Sequence, residues 1–298
     1  MPSYITQINQ CAFFGCRGLT SVVIPDSVTS IEDVAFYRCS SLTTVKYLGD
    51  IAGWCAIEFG DIYANPMYYA KELYINNTLV TELVIPNTIT EIKANAFFYN
   101  CNGLITVKYT GDIASWCEIE FGNIYANPMY YADELYINDI LIAGELIIPD
   151  SVTSIGDYAF SNCGSLTSIE IPDSVTSIGD SVFNGCSSLT SISIPDSVTS
   201  IGEWAFSRCS GLTSIEIPDS VTSIGEWAFS GCSSLTSVYY KSTVSDWSNI
   251  SIGSNNSYLT NATRYYYSEN QPTTTGNYWH YDIDGITPVI WVYTKPEE

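Results

Sequence analysis

Residues Leu166–Ser188 read LTSIEIPDSVTSIGDSVFNGCSS. Nearly the same text recurs on either side. Ile148-Pro149, Ile171-Pro172, Ile194-Pro195 and Ile217-Pro218 stand 23 residues apart. A fixed period in the range of about 20–50 residues marks a chain that stacks one structural unit on the next. Such an array grows coil by coil, and each coil touches only its neighbours. The chain of 298 residues therefore reads as a solenoid rather than as a count of globular domains.

Within this coil Leu166, Ile169 and Ile171 fall on the L-x-x-L-x-L pattern of a leucine-rich repeat strand. Pro172-Asp173-Ser174 is turn chemistry, with a fixed φ followed by side chains that bond nearby backbone. Val175, Thr176 and Ile178 suit a second short extended piece. Gly179 reads as a sharp bend, and Ser181–Asn184 as a short helical turn with Val182 and Phe183 facing inward. Phe13, Phe36, Phe97, Phe160, Phe183, Phe206 and Phe229 share one phase, which predicts seven coils. The class is an α/β repeat solenoid with a parallel sheet on its concave face.

The period breaks twice, and each break holds a near-copy of one insert, at about 45–83 and 107–146. One reads VKYLGDIAGWCAIEFGDIYANPMYYAKELYIN from Val45, the other VKYTGDIASWCEIEFGNIYANPMYYADELYIN from Val107. Asp50 and Asp112 are expected to cap short helices that carry Trp54 and Trp116. Pro66 and Pro128 would each open a second helix, and LYI would return as a strand. A third, diverged copy begins at Val238, where Tyr240 and Trp247 keep the gap of Tyr47 and Trp54. The solenoid is thus expected over 1–238 and a capping unit with an aromatic tail over 239–298. Residues Pro2–Ile8 align with the middle of a repeat, so the chain reads as starting inside a coil of a longer protein. Lys295-Pro296-Glu297-Glu298 reads as a linker.

Acidic residues number 32 against 10 basic ones, a net charge of −22. That surface repels phosphate backbones and anionic membranes and favours basic partners or cations. No nucleic acid is expected. No run of 18 apolar residues occurs, so no membrane insertion is expected, and the N-terminus lacks the pattern of a signal peptide.

With IPDSVTSIGEWAFSGCSSLTSV in view, the chain resembles BspA-type leucine-rich repeat proteins. The resemblance covers about four-fifths of the sequence. It implies a module at the cell surface or outside the cell, adhering to a protein or glycan ligand on a host or neighbouring cell. It brings no catalytic residues.

Cys16, Cys39, Cys101, Cys163, Cys186, Cys209 and Cys232 share one phase and read as an inward ladder of reduced thiols. The phase suits a small apolar side chain, and parallel Cβ vectors do not point at each other for bridging. Cys55 and Cys117 read as packing in the inserts. There is no C-x₂-C and one histidine, His280, so no metal and no cofactor are expected. His280 lies in an aromatic tail and reads as structural. Asp282-Ile283-Asp284-Gly285 opens like a calcium loop but lacks the later ligands.

Residues between the core positions of each strand point outward. Ser168, Ser191, Ser214 and Ser237 form one file, and Glu170, Ser193, Glu216 and Tyr239 the next. These are the candidate binding residues of the concave face. Tyr158, Trp204 and Trp227 share a phase before the A-F pair and are candidate aromatic anchors. The leading reading is a non-enzymatic, monomeric adhesion or protein-binding module. Alternatives are a structural spacer of a longer surface protein and a carbohydrate-binding or carbohydrate-active protein. The last needs carboxylates about 5–9.5 Å apart, whereas Glu170 and Glu216 lie two coils apart, roughly 10 Å.

Overall fold

The computed structural model describes residues 1–97 and 104–292. The chain forms two compact units, Met1–Ile142 with Gly156–Cys163, and Ala143–Ile155 with Gly164–Glu298. This division falls elsewhere than 238/239, and strand Ser237–Tyr240 shares one sheet with residues beyond it.

Most coils contribute a strand to a main parallel sheet and a two-residue strand to a second one; the coil that begins at Gly144 has only the first. In the first unit Ser21–Ile24, Thr44–Tyr47 and Glu72–Ile75 pair in parallel, as do Glu82–Ile85, Thr106–Tyr109 and Glu134–Ile137. In the second unit Gly144–Ile147, Leu166–Glu170 and Ser191–Ser193 form one sheet. Ser214–Ile217, Ser237–Tyr240, Thr263–Tyr267, Tyr278–Tyr281 and Pro288–Ile290 form the next. Alternation along each strand sends Ile169, Ile192 and Ile215 into the core and the residues beside them outward.

The inserts are long coils laid into the same stack. Asp50 and Asp112 cap the helices Ile51–Cys55 and Ile113–Cys117, each side chain accepting from a backbone N–H three residues on. Asn65-Pro66 and Asn127-Pro128 open single 3₁₀ turns. Each insert ends in an antiparallel hairpin, Glu72–Ile75 with Thr78–Leu79 and Glu134–Ile137 with Ile140–Leu141. Its two turn residues are left-handed, Asn76-Asn77 and Asn138-Asp139. That is the turn which matches strand twist, and Asn tolerates its backbone. The hairpin closes the parallel sheet, and a new sheet starts after it. Within the first unit each insert is also bonded to a later stretch of chain. Trp54 Nε1 donates to Ala96 O and Trp116 Nε1 to Ala159 O, both at 2.9 Å.

One local expectation needs correction. Ser181–Asn184 is a pair of consecutive turns, not helical. Ser181 and Gly185 both have positive φ, as do Trp204/Arg208 and Trp227/Gly231, Val34/Arg38 and Tyr158/Asn162. A left-handed residue every fourth position stops a helix and turns alternate N–H groups toward the next coil. Ser181, Phe183 and Gly185 donate to the carbonyls of Glu203, Ala205 and Ser207 at 2.7–2.9 Å. Gly179 stands just before this turn and is not among the positive-φ residues. Its phase is a point of close approach. A Cβ on Gly225 would lie 2.5 Å from Glu203 N, and one on Gly202 2.6 Å from Gly179 C.

The serine of each P-D-S turn also reaches across coils. Ser174, Ser197 and Ser220 donate to the carbonyls of Val152, Val175 and Val198 at 2.5–2.6 Å. These bonds satisfy buried carbonyls and fix coil to coil without a side-chain partner.

The thiol ladder is uneven. Cys39, Cys163, Cys186, Cys209 and Cys232 are buried and unbridged, and so are Cys55 and Cys117. The thiols of Cys39, Cys209 and Cys232 donate to the carbonyls of Phe13, Phe183 and Phe206 at 3.1–3.2 Å. Burial pushes the Cys163, Cys117 and Cys232 thiols up to about 12. Cys16 corrects the expectation of an inward file, because it is exposed. Cys101 lies outside the described residues.

Candidate functional site

The outward files of the second unit line a groove of about 560 Å³. Its floor is built by strand register. Glu145 stands beside Ser168, Ser168 beside Ser191, Glu170 beside Ser193, and Glu216 beside Tyr239. Of the concave-face candidates, Ser168, Glu170, Ser191, Ser193, Ser214, Glu216 and Tyr239 all line it, and Ser237 does not. One wall was not expected from the sequence: Ile286 and Pro288 of the C-terminal hairpin.

That hairpin, Tyr278–Tyr281 with Pro288–Ile290, is anchored from below and from the side. Trp279 is fully buried and its Nε1 donates to Tyr240 O at 3.0 Å. The Tyr281 hydroxyl donates to Glu216 Oε1 at 2.5 Å. Lys241 Nζ lies 3.1 Å from the same oxygen and 2.8 Å from Asp196 Oδ1, over the Tyr281 ring. Burial works against the Lys241 ammonium, but the bonds to Asp196, Tyr281 and Glu216 outweigh it and hold its pKa above the usual lysine value. Burial, then the Glu216 carboxylate, pushes the Tyr281 hydroxyl up to about 12. Glu216 is therefore a tether for the wall. Nothing within 65 residues of Glu216 in sequence announces that contact.

The carboxylates at the other end of the groove are different. Glu145 and Glu170 are exposed and take part in no ion pair among the described residues. Tyr239 forms the far end, stacked on Tyr265 at 5.5 Å and edge-on to Trp279. No Lys, Arg or His lines the groove among the described residues. The floor thus passes from free carboxylates, over serine hydroxyls, to an aromatic and aliphatic end.

The aromatic candidates separate. Trp204 and Trp227 stack face to face at 4.9 Å with 3° between planes, half-buried in the second unit. Both sit at the left-handed position, so their rings cover the turn ladder. Tyr158 belongs to the first unit, and its carbonyl accepts from Asn127 Nδ2 at 2.7 Å. His280 is stacked on Trp291 at 3.9 Å and bonded at Nδ1 to Tyr281 O. The Asp284 carboxylate accepts from Ile286 N, Thr287 N and the Thr287 hydroxyl, which spends it on its own turn. No cluster of three or more His, Cys, Asp or Glu is placed to hold a metal ion among the described residues.

Residues 1–125 and 139–260 match the model of the BspA type leucine rich repeat region, in 6 copies. The chain belongs to this family. The fold of a BspA-type protein recurs in solved structures. One is a leucine-rich repeat protein from Eubacterium ventriosum, 22% identical, covering 85% of this chain and 71% of that one, with a TM-score of 0.51. A leucine rich cell surface protein from Faecalibacterium prausnitzii is 24% identical over 83% of this chain and 86% of that one, with a TM-score of 0.44. The pneumococcal vaccine antigen PcpA is 14% identical over 90% and 75%, with a TM-score of 0.48. No curated protein matches. No helix among the described residues is long and apolar enough to cross a membrane.

Proposed function

We propose that this BspA-type chain is a non-enzymatic binding module of a cell surface, and that it takes a segment of a partner protein into the groove of its second unit. The observation that carries the reading is the groove itself. The outward phase of the coils is free of any packing duty, yet here the C-terminal hairpin is tethered beside it and turns an open sheet face into a walled channel. Repeat arrays bind through such faces. The surface location rests on the family and on the Faecalibacterium relative's description. Of the pair weighed for hydrolytic chemistry, Glu170 and Glu216, the second is occupied by Lys241 and Tyr281.

The test is capture of matrix proteins, whole cells and glycans on immobilised protein, with Ser193→Trp as the comparison. Ser193 is exposed in the groove floor, so the indole fills the channel without touching the core. Loss of capture by at least about tenfold is expected. Undiminished capture by the filled variant would refute the groove, and preference for glycans over proteins would refute the partner class.

A further inference from the structure

We infer that the segment held in this groove is an extended peptide with a lysine or arginine and, four residues away, a large apolar side chain. The inference rests on the binding role proposed above and names the ligand's chemistry. Three features of the groove set it. Glu145 and Glu170 present two carboxylates with no ion pair among the described residues. Glu216 cannot serve a ligand cation, because Lys241 and Tyr281 already occupy it. Tyr239, Ile286 and Pro288 offer an apolar end and no charge.

The spacing follows from the register. From Glu170 to Tyr239 the file crosses three coil steps: Glu170 to Ser193 and Glu216 to Tyr239 are strand pairings, and the middle step, Ser193 to Glu216, joins two sheets and follows the 23-residue repeat. Neighbouring strands lie about 4.8 Å apart, so the two ends are about 14 Å apart. An extended peptide rises about 3.4 Å per residue and sends alternate side chains to one face. Residues i and i+4 therefore reach the two ends together, on the same side of the peptide. Residue i+2, about 6.8 Å along, passes between Ser193 and the tethered Glu216. The cation needs a long stem to reach along the groove floor while its head meets the carboxylates, which describes lysine and arginine. An acidic segment is rejected twice, by the local carboxylates and by the net charge of −22.

The experiment is calorimetric titration of the full chain with capped seven-residue peptides of serine and glycine that carry arginine and leucine four apart. Comparison peptides replace arginine by neutral citrulline, replace it by glutamate, or set leucine three residues away. The arginine peptide is expected to bind about three- to tenfold more tightly than the citrulline peptide, and the gap should narrow with salt. The double change Glu145→Gln with Glu170→Gln should erase that gap and leave the thermal midpoint unchanged, since both side chains are exposed. Equal binding of arginine and citrulline peptides, preference for glutamate, indifference to the spacing, or no binding of any peptide at millimolar concentration would overturn the inference. Ser193→Trp separates the two levels. If it abolishes binding that shows no arginine preference, the groove stands and the ligand chemistry falls. If binding survives it, the groove falls as well.

Discussion

The outward file of the main sheet is written in two chemistries, one per unit. In the first unit it runs Val23, Lys46, Tyr74 and then again Val84, Lys108, Tyr136. In the second it runs Ile147, Glu170, Ser193, Glu216, Tyr239, Tyr265. Beneath both lies the same core of Leu, Ile, Phe and Cys. In the first unit each cation is used within its own face. Lys46 and Lys108 lie over Tyr74 and Tyr136 at 5.5 and 5.9 Å, and Lys108 also meets Glu82 at 2.8 Å. In the second unit the one lysine beside the groove is spent on a tether, and two carboxylates are left over. The lesson is that the inward phase answers to stacking and cannot vary, whereas the outward phase is free to take up different work.

If that division holds, a change that strikes the shared core should unfold the chain whichever unit it enters. The broadest such change is alkaline pH. Buried thiols in both units are raised, Cys117 and Cys163 in the first and Cys232 in the second, each to about 12, whereas an unfolded thiol ionises near about 8.5. A folded-state pKa above the unfolded one gives stability that is complete below about pH 8.5 and drains away as pH rises toward about 12. Denaturation midpoints measured at pH 7, 9 and 10.5 should fall steadily above the second value. A flat profile would mean that the thiols are not sealed. In the same samples exposed Cys11 and Cys16 should alkylate at once in the native state, and the buried thiols only on unfolding.

Next in size is Phe206→Ala. Phe206 is fully buried and stacked between Phe183 and Phe229 at 5.6 and 5.3 Å. A loss of about 3–5 kcal/mol is expected, and Phe36→Ala in the first unit should match it in urea unfolding. A large inequality between them would break the idea of one shared core. Smaller again is Trp116→Phe. It keeps an aromatic ring and removes the bond to Ala159 O, leaving that buried carbonyl only the long contact with Asn127 Nδ2 at 3.5 Å, at about 1–2 kcal/mol. At the bottom of the scale lies the outward face itself. Lys108→Gln removes an exposed pair with Glu82, and the urea midpoint should not move measurably. A measurable drop would show that the outward phase of the first unit carries structural duty after all.

Much of this was legible because the repeat states it many times over. The phase shared by Phe183, Phe206 and Phe229 points inward in every coil, and Asp50 and Asp112 announce their helices by the ordinary capping rule. The outward serine and glutamate file was legible for the same reason, since alternation along a strand leaves no choice of face. Three things were not. The left-handed turn residues escape notice because Val34, Trp204 and Trp227 are not residues that advertise positive φ; Gly185, Gly231 and Asn162 at the partner position were the available hint. Asp61 and Asn123 were also missed. Their carboxylate and amide oxygens accept the N–H groups of Val34 and Asn95, standing in for carbonyls that a regular coil would supply. The groove wall was missed because Tyr281 reaches Glu216 by way of folding, not by any local pattern.

The turn ladder carries a consequence for how such a chain can change. Ser181, Phe183 and Gly185 bond the next coil through backbone alone, and Ser174 and Ser197 bond the coil before through one hydroxyl and a carbonyl. The joint between coils is nearly blind to side-chain identity. One 23-residue coil can then be excised or copied in frame, and the two new neighbours will find the same donors and acceptors waiting. Length becomes a quantity the molecule can adjust in whole steps of about 4.8 Å, like links in a chain. Removing residues 167–189 should therefore shorten the second unit's ladder by one link and carry Ser168 and Glu170 away with it, while the tethered hairpin stays where Glu216 holds it.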